Sequence, residues 1–211
     1  MGVESDFSGD VLPRVFWCAI IFISKAPKMW SNKNQEVSDM NEAMNNLNTR
    51  RSIRKYTQQQ VPDALLDAVL EAGTFAASAV NNQKTILVAV RDKELRDRLS
   101  KLNAAVMGRD MDPFYGASCV VVVLADGERP TWVEDGSLVM GNLMNAAHGV
   151  GLGSCWIHRA REVFDSPEGK ELLKAWGVPE TYRGVGNCIL GYAAEEPAAK
   201  PRLENRVIKI G

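Results

Sequence analysis

The segment Ser118–Ala125 (SCVVVVLA) constrains the fold of this chain more than any other stretch. Consecutive valines leave no alternate polar positions to face water, so a strand built from them must be covered on both faces. Around it the chain alternates strand-like and helix-like patterns. Thr85–Val90 (TILVAV) reads as a buried strand, Ser154–Ile157 as a short one, and Gly186–Tyr192 as the last clear one. Between them lie segments of helical spacing. Pro62 and Asp63 open a first turn whose apolar residues Leu65, Leu66, Val69 and Leu70 predict a helix to about Phe75. Asp92–Met107 carries Leu95, Leu99, Leu102 and Val106 on one side, and Val133–Val150 reads as a long buried helix rich in Met, Ala and Gly. Ser166-Pro167 supplies a cap and a first-turn proline for a helix to Trp176. With 211 residues the chain suffices for one well-buried domain and is short for two. We find no internal repeat and no domain-sized linker.

Residues 1–39 stand apart. Val15–Ile23 is apolar but far shorter than the ~20 residues that span a bilayer. Glu4, Asp6 and Asp10 stand where a secretory signal carries positive charge. The expectation is a poorly ordered or non-native extension ahead of a domain at 40–211, with Met40 or Met44 as the natural initiator; the rival is a helix packed on the domain or a partner. Met40, Met44 and Leu47 share one face of a short helix leading into a basic run. The 25 Lys and Arg nearly balance the 26 Asp and Glu, so there is no global attraction to nucleic acid or an anionic membrane. Cys18, Cys119, Cys155 and Cys188 are scattered, and with only two histidines a metal site is not expected. Such thiols read as reduced core residues of a cytoplasmic protein. For Cys155, with His158 nearby, a redox thiol is the alternative.

Four segments carry the chemistry. Arg50-Arg51-Ser52-Ile53-Arg54-Lys55-Tyr56 is rich in donors suited to a phosphate, although alone it is as compatible with a solvated basic turn. Ala76–Gln83 offers small residues that let a flat ring approach the backbone, and amides for a heterocycle edge; alone it is an ordinary polar loop. Gly149–Ser154 is superficially like a dinucleotide fingerprint, but a helix precedes it and a strand follows, the reverse of what that motif requires. Lys200-Pro201-Arg202 is a second cationic arm that would complete a phosphate cage, or a solvated tail.

Together these segments resemble the nitroreductase family over nearly all of 40–211. The matches are the Arg50–Arg54 run with Val61-Pro62; Ala77, Ser78, Asn81 and Gln83 in the loop; Gly151–Trp156; and Gly191-Tyr192 with Lys200–Arg202. Ala77 and Lys84 stand where the family usually has prolines, and the stretch after Gly153 is short, as in a small member lacking a helical insertion.

The resemblance implies an α+β fold with a mixed, largely antiparallel central sheet flanked by helices, although alternating strands and helices by themselves would suggest a parallel one. It implies a homodimer with FMN at the subunit interface and an exchanged C-terminal tail, in which Arg206–Ile210 adds an edge strand to the partner. Arg50, Arg51, Ser52, Lys200 and Arg202 would hold the phosphate. Arg54 would lie near the N1/C2=O edge of the flavin, and Ala77, Ser78 and Asn81 would come from the partner. Backbone groups near Trp156, Ile157 and His158 would sit by the N5/C4=O edge, with Asn103 reaching the pyrimidine ring. Phe114-Tyr115 would wall the ring or pack at a strand entrance. The implied activity is ping-pong oxidation of NADH or NADPH with reduction of nitro compounds, quinones or related acceptors, without a side-chain nucleophile. Alternatives are other chemistry on the same fold (dehalogenation, flavin fragmentation, enone reduction), a flavin-storing or sensing module, or, least supported by the charge balance, a nucleic-acid binder.

Overall fold

The computed structural model describes residues 42–211. The extension 1–39, the apolar stretch Val15–Ile23, Cys18 and Met40 lie outside the described residues. Helix α1 comprises the described residues 42–49. There follow α2 (Asp63–Thr74), a short 3₁₀ turn (Ala79–Asn81), β1 (Thr85–Val90), α3 (Lys93–Met107), β2 (Cys119–Asp126) and α4 (Trp132–Gly149). The chain continues through β3 (Gly153–Ile157), α5 (Ala160–Asp165), α6 (Pro167–Ala175) and β4 (Tyr182–Gly191).

The valine run becomes the buried strand that its composition demands. Every residue of β2 is buried, and alternate side chains enter two separate cores. Val120, Val122 and Leu124 meet Leu99, Phe164 and Leu173 from α3, α5 and α6. Cys119, Val121, Val123 and Ala125 meet Val69, Met140 and Leu143 from α2 and α4. Helices therefore cover both faces of one sheet ordered β1-β2-β4-β3.

All the ladders among these strands are antiparallel. The alternating sequence pattern misleads here for a geometric reason. The end of β1 (Val90) pairs with the start of β2 (Val120), so α3 carries the chain out and residues 108–118 bring it back to the same sheet end. No crossover to a parallel neighbour is made. The parallel component is the bridge between Ser52 and Ser154, which lays the basic segment along β3.

Local signals account for most boundaries. The Asp92 side chain caps α3 by accepting from Leu95 N–H, and Gly108 ends that helix in the left-handed conformation. Ser166 caps α6 through Gly169 N–H, with Pro167 in its first turn. Strand β4 begins at Tyr182, ahead of the expected Gly186, because Tyr182, Arg183 and Gly184 pair beyond a register shift opposite Val123/Leu124. Helix α5 is too short to show periodicity and was not expected from the sequence.

Candidate functional site

The basic segment and β3 run side by side in the same direction. Ile53 N–H donates to Ser154 O at 3.0 Å. Further on, Thr57 N–H donates to Tyr192 O at 2.9 Å and Ala194 N–H to Lys55 O at 2.8 Å, pinning the segment against the exit of β4. Two glycines permit this approach. Gly151 turns the chain out of α4 with a φ of 80°. At Gly153 a Cβ would meet Ile53 Cγ1 at 2.9 Å, so only glycine lets Ile53 lie this close. Tyr56 is buried beneath the segment, donates to Ile53 O at 2.8 Å, and is held neutral by burial, which pushes its hydroxyl pKa well up.

Two clefts open along this paired track. The first, ≈ 670 Å³, is lined by Arg50, Arg51 and Ile53 on one side, Gly153 and Ser154 on another, and 195–199 across from them. Arg50 Nη1 is buried there with no hydrogen-bond partner among the described residues. A guanidinium N–H withdrawn from water without an acceptor is costly, so Arg50 is a candidate donor to an anion; Arg129 Nε, away from both clefts, is likewise unpartnered. Arg51 is engaged locally, donating to Asn48 O and Arg50 O, both at 2.8 Å. Ser52 sits at the bridge to Ser154. The second cleft, ≈ 390 Å³, lies further along the track, where Arg54 faces Trp156, Ile157 and His158. Tyr115 adds an aromatic wall to it, whereas its neighbour Phe114 is fully buried in the core.

Other expected residues lie elsewhere. Ala77, Ser78 and Asn81 belong to a loop before β1 that lines neither cleft. The loop is built tightly: Ser78 Oγ accepts from Gln83 N–H at 3.0 Å, and Val80, Asn81 and Gln83 adopt positive φ. The Asp135 carboxylate anchors it, accepting from Ala79 N–H at 2.9 Å and from the Asn82 amide at 3.0 Å. Burial pushes the Asp135 carboxyl up, but the donors Ala79, Asn82 and Thr131 outweigh it and leave the pKa below the usual value. Asn103 is fully buried on α3; its Oδ1 accepts from Asn187 at 3.2 Å, and it lines neither cleft. Lys200 and Arg202 are exposed on the tail just after the residues that wall the first cleft.

Several groups in the clefts were not singled out from the sequence. Glu195 and Glu196 line the first, and the Glu195 carboxylate accepts Arg54 N–H at 2.5 Å. Their neighbour Pro197 lines the same cleft. His148, at the end of α4, also faces the first cleft. The Thr49 hydroxyl donates to Asn45 O at 2.7 Å, so at 2.9 Å it accepts from His148 Nε2. Arg109 and Arg159 line the second cleft. Cys119, Cys155 and Cys188 are free and buried; burial pushes the Cys119 thiol up to about 12 and Cys188 further, so neither is a thiolate at neutral pH. Among the described residues no group of three or more His, Cys, Asp or Glu is placed to hold a metal. No helix among them is long and apolar enough to cross a membrane.

The fold and the paired track define an α+β protein with two arginine-lined clefts along one sheet edge. Comparison with known proteins places it. The nitroreductase family model matches residues 47–192, and the chain belongs to that family. A protein of Archaeoglobus fulgidus, provisionally named an NADH dehydrogenase/NAD(P)H nitroreductase, is 34% identical over 74% of this chain and 88% of its own. The FMN reductase [NAD(P)H] of Bacillus subtilis is 27% identical over 80% of this chain and 73% of its own. Among solved structures, a nitroreductase with bound FMN from Bacteroides fragilis superposes with a TM-score of 0.72 at 28% identity, covering 81% of this chain and 98% of that one.

Proposed function

We propose that the chain is an FMN-dependent oxidoreductase that oxidises NADH or NADPH and reduces nitro compounds, quinones or related small acceptors, as a homodimer. The observation that carries this is the buried, unpartnered Arg50 Nη1 at the head of a cleft that continues toward Arg54. From Arg50 to Arg54 the extended segment covers roughly 13 Å, the order of length from a phosphate through a ribityl chain onto a flavin ring. Arg50, Arg51 and Ser52 would hold the phosphate at one end, with Lys200 and Arg202 closing from the tail. Arg54 and the backbone of Trp156, Ile157 and His158 would flank the ring at the other. Names of the relatives, FMN reductase and NAD(P)H nitroreductase among them, support the same reading.

FMN, when bound, supplies the redox chemistry, taking a hydride equivalent from the nicotinamide and passing two electrons to an oxidant. The protein's part is electrostatic and positional. Arg54 would place a cation near the edge where negative charge develops on reduction and so would favour the reduced flavin. Glu195 accepts the Arg54 backbone N–H, tying the cation's backbone to the tail that follows β4. Both reactants would use the second cleft in turn, which makes the kinetics ping-pong. The tight loop carrying Ala77, Ser78 and Asn81 lines neither cleft of its own protomer, which supports its serving the partner's flavin. Asn103, tied to Asn187, would act by supporting β4 from behind and not by touching the ring. Three free buried thiols fit a reducing cytoplasm.

The test is the visible spectrum of protein purified with FMN, before and after anaerobic NADH or NADPH. The expected result is bound flavin that bleaches and then recovers on adding a nitroarene or a quinone. Bound flavin that stays yellow with either nicotinamide would move the assignment to storage or sensing, and protein without flavin would overturn it.

A further inference from the structure

The second cleft is lined by Arg54, Arg109, His158 and Arg159, and no carboxylate lines it. Its remaining walls are apolar or aromatic, Pro113, Tyr115 and Trp156 among them. Asp97 of α3 and Asp110 and Asp112 of the following loop line a neighbouring groove, and Arg109 stands between the two, lining both. Of the cations, Arg159 is paired with Glu162 at 2.6 Å, whereas Arg109 makes no ion pair among the described residues. Arg54 is already assigned to the flavin, which leaves Arg109, and in part Arg159, without a use in the reaction.

The wall that carries Arg109 and Tyr115 is preorganised. Asp112 Oδ1 accepts from Phe114 N–H at 2.9 Å and from the Ser100 hydroxyl; Oδ2 accepts from Gly116 N–H and Arg96 Nη2, both at 2.7 Å. Arg96 Nε also donates to Ala117 O at 3.1 Å. This clamp holds Tyr115 at a φ of 51°, a conformation a tyrosine does not adopt unaided, with its ring at the cleft. A space beside the proposed flavin ring, walled by an aromatic side chain and edged by cations with no carboxylate in its lining, suits one class of reactant.

We infer that the reactant taken by this cleft is an anionic aromatic, its ring against Tyr115 and its negative group at Arg109 and Arg159. This rests on the flavin reading above. The negative group has two possible sources, a carboxylate on the oxidant or the phosphates of the nicotinamide donor, and the experiment separates them.

FMN-loaded wild type, Arg109→Gln, Arg109→Lys and Arg109→Gln/Arg159→Gln are compared in two ways. Without turnover, benzoate and benzamide are titrated into the oxidised protein and binding is read from the flavin absorption. With turnover, KM and kcat are measured for 4-nitrobenzoate and 4-nitrobenzamide, and for NADPH, NADH and the neutral donor 1-benzyl-1,4-dihydronicotinamide. Expected for wild type is benzoate binding about tenfold tighter than benzamide, a preference that shrinks as salt is raised. Arg109→Gln should remove most of it through KM with kcat little changed, Arg109→Lys should keep part, and the double variant should abolish it. The same pattern in the nicotinamide KM values, with the neutral donor unaffected, would assign the cations to the donor and also support the inference. Wild-type protein that holds and bleaches its flavin yet treats charged and neutral members of both series alike would overturn this inference alone. Protein that holds no flavin would overturn the cofactor reading and this inference with it.

Discussion

At the scale of single residues, the guanidinium of Arg50 separates a structural cation from a ligand-binding one. A buried arginine that serves the fold has acceptors around it, because an unmade hydrogen bond to a buried charge costs on the order of 1–3 kcal/mol. Arg50 Nη1 has none among the described residues. Arg50→Gln should therefore leave the apoprotein Tm nearly unchanged while weakening FMN binding by about 10- to 100-fold, the equivalent of a lost charge-assisted bond. Titration by flavin fluorescence quenching, with Tm measured on the same flavin-free protein, checks both halves. A lowered Tm with unchanged flavin affinity would make Arg50 a structural residue. The basic run was legible in the sequence because its donors are neighbours along the chain. Glu195, His148 and Arg109 were not legible, since each reaches its cleft through tertiary packing that no local pattern encodes. Phe114-Tyr115 shows the same limit: two adjacent aromatics go to different places, one into the core and one to the cleft, because Asp112 clamps the turn between them.

At the scale of elements, most helices and strands could be read, and their boundaries followed caps and prolines. Strand direction came from the family resemblance and not from the periodicities, because it depends on whether residues 108–118 return the chain to the sheet end it left. The glycine cluster before β3 is a further case. Its spacing imitates a dinucleotide loop, yet Gly151 supplies a turn with φ of 80° and Gly153 supplies room for Ile53. The cluster thus sets the distance between β3 and the basic segment, and with it the shape of both clefts. Gly153→Val would force Ile53 away, since the added carbons overlap its Cγ1 and Cβ. The expected cost is about 1–3 kcal/mol in stability from overpacking, with FMN affinity falling as the Ser52–Ser154 bridge opens. Denaturant unfolding and flavin titration of the purified variant would show both; stability and affinity at wild-type levels would mean the segment is held by other contacts.

At the scale of the whole molecule, the described residues leave apolar surface exposed on which the proposed dimer can be tested. Leu203, Val207, Ile208 and Ile210 lie in a tail exposed from Lys200 onward, where no described residue covers their apolar side chains. Met44, Leu47 and Leu138 are likewise exposed, and the loop with Ser78 and Asn81 lines neither of the two clefts. The tail itself divides in two. Residues 193–199 pair with the basic segment and wall the first cleft, whereas those from Lys200 onward contribute cations and apolar side chains to the outside. Two truncations therefore test different things. Ending the chain after Tyr192 removes the cleft wall and the tail together, and should abolish both dimer and bound FMN. Ending it after Ala199 keeps the wall, so the protomer should still fold with an unchanged circular dichroism spectrum, but sedimentation should find monomer and the flavin should bind at least tenfold more weakly for loss of Lys200 and Arg202. If the shorter chain stays dimeric and yellow, neither the tail nor an interface built on it holds the cofactor. If the longer one is monomeric yet binds FMN as tightly as the full chain, the phosphate is held by Arg50, Arg51 and Ser52 alone, and the site belongs to one protomer.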